Sequence, residues 1–235
     1  MIKININLKL IRQYDIDMNL QNKSSKNSLE FKSIDYQLQP YTNPELIKEN
    51  GPQVFRSGSG VKVKDIDGNS YIEGMSGLWC ASLGFNEIEL VEAATAQMKK
   101  LPFYHSFTGK TCESTINLSE KLIEIAPNNL KKIFFCNSGS EANDTAIKIV
   151  WYYHASLGNP QKRKIISRKG SYHGVTLAAA SLTALDYAQK GFGLPLDFAI
   201  HTTWPHYFQN SNENEDEKDF CNRLVSDLEK LIENE

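Results

Sequence analysis

The sequence lacks the patterns that mark a metal site, a disulfide framework or a membrane span. Its four cysteines have no paired short spacing, and its five histidines include no His-Glu-x-x-His pattern, so we assign no metal and expect a reducing compartment. The longest apolar stretch, residues 174–185, is interrupted by serine and threonine and is too short to cross a bilayer. We therefore expect a cytoplasmic protein with no membrane partner.

A strong charge of one sign is also missing. The 26 Lys and Arg residues nearly balance the 28 Asp and Glu residues, which leaves no electrostatic basis for binding nucleic acid. Hydrophobic residues at 40% are ordinary for a globular protein. Residues 1–35 differ, because they mix Lys, Asn, Ile and Ser without periodicity, and we predict a variable, disordered extension there.

The sequence does contain a strand-to-helix junction made of small polar residues. Residues 133–136 are a short apolar run typical of a strand buried on both faces, and apolar residues recur at helical spacing over residues 142–153. The turn between them, residues 137–140, then lies at the amino end of a helix. Unpaired N–H groups and the positive end of the helix dipole favour a phosphate at that position.

The residue types in this turn suit a phosphate. Gly139 lets the backbone approach a ligand closely, and the hydroxyl groups of Ser138 and Ser140 add donors. The alternative is an ordinary capped connection, which serine and asparagine favour in any α/β protein. This segment alone leaves both interpretations open.

A second junction makes the phosphate interpretation stronger. Residues 164–167 favour another strand, and the turn after it leads to Tyr172, His173 and Gly174 before a small-residue helical stretch at 175–182. An aromatic ring at the end of a neighbouring strand can lie flat against a cofactor ring whose phosphate rests on the first junction. Taken alone, a Tyr-His pair is more often a packing feature.

Five ordered motifs resemble the class III aminotransferases of the ω-amino-acid or amine:pyruvate type, which depend on pyridoxal phosphate and have fold type I. They lie at residues 60–68, 75–80, 97–104, 137–146 and 170–174. The resemblance implies an α/β protein with an incomplete large domain of the aspartate aminotransferase type and part of the small N-terminal domain. We accordingly predict an extension at 1–35, a small-domain segment at 36–95 and a partial cofactor-binding large domain at 96–235.

The resemblance also implies the roles of individual residues. The phosphate of pyridoxal 5′-phosphate would be held by Ser138, Gly139 and Ser140; Tyr172 would stack on the ring with His173 beside it, and Trp79 would shape the substrate pocket. The implied reaction moves an amino group from an amine or ω-amino acid to a keto acid such as pyruvate. The complete enzyme of this family would be a homodimer.

Two residues that this chemistry needs have no counterpart in the sequence. The 235 residues contain neither the motif of the Schiff-base lysine nor that of the aspartate that pairs with the pyridinium nitrogen, so we assign no catalytic residue in this chain. Lys148 lies on the helix after the first junction, but we interpret it as a solvated surface charge and not as the Schiff-base lysine. We expect a truncated chain that is inactive alone, or that a second polypeptide completes. A decarboxylase or aminomutase of the same fold, or a non-catalytic split-gene or pseudogene product, stays open.

The remaining pattern predicts ordinary elements. We expect a hairpin turn near Asp67-Gly68, a helix opening at Asn86 with Glu89 in a capping box, a helix at 113–126, a strand at 198–201, and a final amphipathic helix carrying Phe220.

Overall fold

A computed structural model describes residues 27–235, so residues 1–26 of the predicted extension lie outside the described residues. The disorder predicted for residues 1–35 is wrong for residues 29–35, because Ser28 caps a helix there by accepting a hydrogen bond from Phe31 N–H at 3.1 Å. The contacts divide the chain into two compact units, Met1–Cys112 and Glu113–Glu235. The predicted division at residue 96 refers to the domains of the family and stays a prediction.

The first unit contains a three-stranded antiparallel sheet. Its strands are β1 (Phe55–Ser59), β2 (Lys62–Asp65) and β3 (Ser70–Ile72), in that order across the sheet. The helices before the sheet are α1 (Leu29–Tyr36) and α2 (Pro44–Asn50), and those after it are α3 (Ser76–Trp79) and α4 (Ile88–Lys100).

The turn between β2 and β3 confirms the predicted hairpin, and the buried carboxylate of Asp65 holds it together. Asp65 accepts hydrogen bonds from the N–H groups of Asp67 and Asn69 at 3.0 and 2.8 Å. It also accepts from the Asn69 side chain at 2.9 Å and from the Tyr71 hydroxyl at 2.8 Å. The bond from the Asn69 side chain is the largest cause that lowers the pKa of Asp65 below its ordinary value.

The predicted start of helix α4 is wrong. Asn86 has a φ of 61°, whereas a residue that caps a helix adopts the extended region. The cap is Glu87 instead, and its side chain makes no capping hydrogen bond within residues 27–235. The helix therefore begins one residue later than predicted, without the capping box.

The second unit alternates helices with two strands. Its helices are α5 (Glu113–Ile125), α6 (Gly139–Ser156), α7 (Leu177–Leu182), α8 (Asp186–Gln189), α9 (Tyr207–Asn210) and α10 (Glu217–Asn234). Strands β4 (Ile165–Arg168) and β5 (Ala199–Thr202) pair in parallel, which confirms the strands predicted at 164–167 and 198–201. The buried apolar side chains of this unit are Ile147, Ala179, Ala180, Leu182 and Phe220.

The strand predicted at residues 133–136 is wrong. The backbone there forms no strand, and the side chain of Phe134 is 70% exposed. A strand needs a neighbour for its N–H and C=O groups. In the described part of the chain β4 and β5 pair only with each other, so the apolar run has no ladder to join.

Helix α10 confirms the predicted amphipathic helix, and an ion pair joins the helix to the residues that precede it. The guanidinium of Arg223 donates to both carboxylate oxygens of Glu215, at 2.7 and 2.8 Å, and to the backbone oxygen of Asn210 at 2.7 Å. The hydrogen bond from Arg223 is the largest cause that lowers the pKa of Glu215 from 4.5 to about 2.

Candidate functional site

The first predicted junction forms the amino end of the 18-residue helix α6. Ser138 is its N-cap, and the side-chain oxygen accepts a hydrogen bond from Glu141 N–H at 3.1 Å. The carboxylate of Glu141 turns back and accepts from the backbone and side-chain nitrogens of Asn137 at 2.8 and 3.2 Å. Serine and glutamate three residues apart therefore cap this helix as a pair.

Two donors are left over at this helix end. The N–H groups of Gly139 and Ser140 have no hydrogen-bond partner among residues 27–235. A Cβ built on Gly139 would meet no atom within 4 Å, so the space beside these donors is open. The helix dipole adds positive potential there, which makes the position suitable for an anion.

The Tyr172 loop, residues 171–176, follows strand β4 and contacts helix α6 directly. The Val175 N–H donates to the buried Ser140 hydroxyl at 3.0 Å, and the Asn143 side chain donates to His173 O at 2.6 Å. The side chain of Tyr172 is 53% exposed. The structure thus brings the Ser138–Gly139–Ser140 turn and the Tyr172–His173 pair together.

Sequence analysis missed three polar residues that join these two segments. They are Asn143 and Asp144, on the second turn of α6, and Thr183, which is fully buried at the end of α7. Their signal was present in the sequence. Ser140, Asn143 and Asp144 recur at helical spacing with the buried Ile147, so polar side chains occupy a stripe that faces protein.

Trp79 belongs to the first unit, whereas the other predicted site residues belong to the second. Positive φ angles of 50 to 68° are adopted by four consecutive residues, Ser76, Gly77, Leu78 and Trp79. This left-handed conformation costs roughly 1–2 kcal/mol at each position that is not glycine. The Glu73 carboxylate accepts from the N–H groups of Met75 and Gly77 at 3.1 and 2.6 Å, and the indole is 77% exposed.

Metal and membrane features are not found in the described residues. Residues 27–235 contain no group of three or more His, Cys, Asp or Glu side chains placed to hold a metal ion. No helix within the same range is long and apolar enough to cross a bilayer.

Sequence comparisons match most of the chain to one family. The model described as "Aminotransferase class-III" matches residues 47–235. A vanillin aminotransferase of Capsicum frutescens is 47% identical over 185 residues, which cover 78% of this chain and 40% of that protein. Gamma-aminobutyrate transaminase 1, mitochondrial, of Oryza sativa subsp. japonica is 44% identical over 196 residues, covering 83% of this chain and 38% of that protein.

Solved structures give the same result. The omega transaminase of Pseudomonas jessenii, determined in complex with PMP, is 50% identical with a TM-score of 0.86, and the match covers 87% of this chain and 45% of that one. The PMP-bound aminotransferase of Vibrio fluvialis is 41% identical with a TM-score of 0.86, covering 91% of this chain and 46% of that one.

The chain spans 40% and 38% of the length of the two plant relatives and less than half of both solved structures. Over that length it has the α/β architecture of fold type I, matching only part of the neighbours' domains, as the five motifs predicted. The chain belongs to the class III aminotransferases.

Proposed function

We propose that this chain provides the phosphate-binding part of a pyridoxal-phosphate-dependent transaminase. The observation that carries the proposal is the amino end of α6, where the unpartnered N–H groups of Gly139 and Ser140 lie beside open space. The helix is directly bonded to the loop that presents Tyr172. The complete reaction would move an amino group from an amine or ω-amino acid to a keto acid such as pyruvate.

The residues present fit a phosphate. Two backbone donors and the positive helix end match its charge, and the Ser138 hydroxyl can donate its hydrogen while its oxygen caps the helix. The Ser140 hydroxyl accepts from Val175 N–H and is buried, so we assign its contribution to its backbone N–H. When bound, pyridoxal phosphate supplies the electron sink for amino transfer.

Tyr172 and His173 would hold the ring end of the cofactor. The exposed Tyr172 side chain can present a face for stacking, and His173 lies beside it with its backbone held on both sides. Trp79 would shape the substrate entrance, since an exposed indole on a turn held by Glu73 offers a rigid apolar surface.

The substrates and assembly extend the proposal to the whole protein. Relatives named for vanillin, gamma-aminobutyrate and omega transamination favour an amine or ω-amino acid as donor. We propose that the complete enzyme is a homodimer, and that a second polypeptide carries the Schiff-base lysine and the aspartate that these 235 residues lack. We also propose a cytoplasmic location, which cell fractionation tests. Recovery of the protein in the mitochondrial fraction would contradict this proposal, and a relative named as mitochondrial makes that the competing location.

Calorimetry with pyridoxamine 5′-phosphate tests the phosphate site without a covalent step. Gly139→Ala would place a methyl group in the space proposed for the phosphate, and we expect an affinity loss of about tenfold or more. Gly74→Ala is the matched control, because a Cβ at Gly74 also meets no atom and its φ is likewise ordinary. Equal binding of pyridoxamine, which has no phosphate, would contradict the assignment.

The missing lysine motif gives a second test. We expect that pyridoxal phosphate mixed with this chain leaves no absorbance band after dialysis, because none of its lysines has the family context. A band that persists and that borohydride fixes to one lysine would show that these 235 residues form the covalent link by themselves.

A further inference from the structure

The backbone of the Tyr172 loop is held from two opposite sides at His173 and Gly174. On one side, the buried Thr183 hydroxyl accepts from His173 N–H at 2.8 Å and lies 3.1 Å from Gly174 O, to which it can donate. On the other side, the Asn143 amide donates to His173 O at 2.6 Å. The residue after Tyr172 therefore has both backbone polar groups bonded to side chains.

Helix α6 holds the next part of the loop through Asp144. One carboxylate oxygen accepts from the Thr176 hydroxyl at 2.8 Å and from Ala179 N–H at 3.0 Å. Thr176 is the N-cap of α7 but makes no side-chain capping bond of its own. Asp144 supplies that cap from the neighbouring helix, and its negative charge suits the amino end of α7.

The two segments approach each other more closely than a side chain would allow. A Cβ on Gly174 would lie 2.5 Å from Ser140 Oγ and 3.0 Å from Ser140 Cα. Because Ser140 also carries one of the free N–H groups, the residue that would bind phosphate is the residue against which the loop packs. The distance from the phosphate donors to Tyr172 is therefore determined by these contacts.

We propose that Asn143 and Asp144 are positioning residues of the cofactor site. Their side-chain hydrogen bonds within residues 27–235 go to the Tyr172 loop and to the start of α7, and these bonds hold the loop at one separation from Gly139 and Ser140. A cofactor that carries a phosphate and a ring on one short linker needs a separation that the linker can span, whereas a free phosphate does not. This inference rests on the proposed function.

A purely structural role makes a different prediction. If Asp144 only stabilised the second unit, its loss would weaken the binding of free phosphate and of the whole cofactor by the same factor. A positioning role separates the two affinities, because free phosphate uses the α6 donors alone and pyridoxamine 5′-phosphate needs both anchor points at once.

The test compares Asp144→Ala with Asp144→Asn in the full chain. We expect Asp144→Ala to raise the Kd of pyridoxamine 5′-phosphate about tenfold or more and that of inorganic phosphate less than about twofold. Asp144→Asn keeps an acceptor oxygen and should recover most of the affinity. Lys148→Ala, at an exposed position of α6, is the control and should change neither constant.

The outcomes are distinguishable. Equal losses for both ligands in Asp144→Ala would overturn the positioning role and leave the phosphate site intact. An unaltered chain that binds neither ligand would overturn the proposed function and this inference with it. Equal affinity of all four proteins for pyridoxamine 5′-phosphate would show that the loop needs no positioning by Asp144.

Hydrogen exchange on the unaltered chain tests the same geometry if Asp144→Ala does not fold. The Ala179 N–H, which donates to Asp144, should exchange at least about tenfold more slowly than the N–H groups of Gly139 and Ser140 without ligand, because only the Ala179 N–H is bonded. Adding pyridoxamine 5′-phosphate should slow exchange at Gly139 and Ser140. Fast exchange at Ala179 would overturn the proposal.

Discussion

Replacing Gly174 by alanine tests the close approach between the Tyr172 loop and helix α6. The new Cβ would lie 2.5 Å from Ser140 Oγ and 2.9 Å from Ala179 Cβ, and the φ of +132° is strained for alanine. Backbone strain of this kind costs about 1–3 kcal/mol, and overpacking adds about 1–3 kcal/mol. The loss is a large part of the roughly 5–15 kcal/mol by which a native domain is stable.

A second glycine separates these two contributions. Gly191 also has a positive φ, of +89°, but a Cβ there would meet no atom within 4 Å, so Gly191→Ala carries the backbone strain alone. Urea denaturation followed by far-UV circular dichroism gives the free energy of unfolding of each variant. We expect Gly174→Ala to be less stable than Gly191→Ala by about 1–3 kcal/mol.

Equal losses of unfolding free energy in the two variants, with unchanged denaturant slopes, would refute this prediction. That result would mean that Ser140 and the loop move apart at no cost. The packing that determines the distance between Tyr172 and the phosphate donors would then be loose.

Acid should weaken the second unit through Glu215, whose pKa is lowered to about 2 chiefly by its hydrogen bond with Arg223. A lowered carboxyl pKa gives stability that is complete above the ordinary value of 4.5 and disappears as the pH falls toward 2. Thermal melts of Glu215→Gln should therefore show a smaller loss of stability in acid than melts of the unaltered chain. An identical loss in both proteins would contradict the assignment. In the first unit, Glu73→Ala should raise the hydrogen-exchange rate of the Gly77 N–H about tenfold, because that N–H loses its acceptor. Glu73→Gln keeps an acceptor oxygen and should raise the rate less. Equal exchange rates in the two variants would contradict the role of Glu73. Light scattering should show association of the purified chain that Phe134→Ser reduces, because Phe134 is among many exposed large apolar side chains, and a clean monomer would contradict this.

The sequence predicted those parts of the fold that local pattern determines. The strands at 165–168 and 199–202, the hairpin at Asp67-Gly68 and the final amphipathic helix depend on neighbouring residues and on periodicity, and all are present. The strand at 133–136 depends on a neighbour that supplies a ladder, and an apolar run cannot provide one by itself. The capping box at Asn86 failed because its backbone is left-handed, which sequence pattern does not reveal.

The residues of the candidate site also fall into those that local pattern predicts and those that depend on contacts between distant segments. Small polar residues at 138–140 and the Tyr172–His173 pair were identified because residue type and order carry their chemistry. Asn143, Asp144 and Thr183 were missed because their role depends on which segment faces them in three dimensions. The left-handed turn that ends at Trp79 was also missed, because residue type does not reveal that its backbone has positive φ angles.

The contacts of the Tyr172 loop have a consequence for the order in which the protein folds. Its bonds to α6 join residues only 30 to 35 positions apart, and the Thr183 bond spans 10. Low sequence separation favours rapid formation, because little loop entropy is lost before the contacts are made. During synthesis this part can therefore assemble once Thr183 has left the ribosome, before β5 has emerged from it to pair with β4. The predicted cofactor-binding residues would then form an early folding nucleus of the second unit.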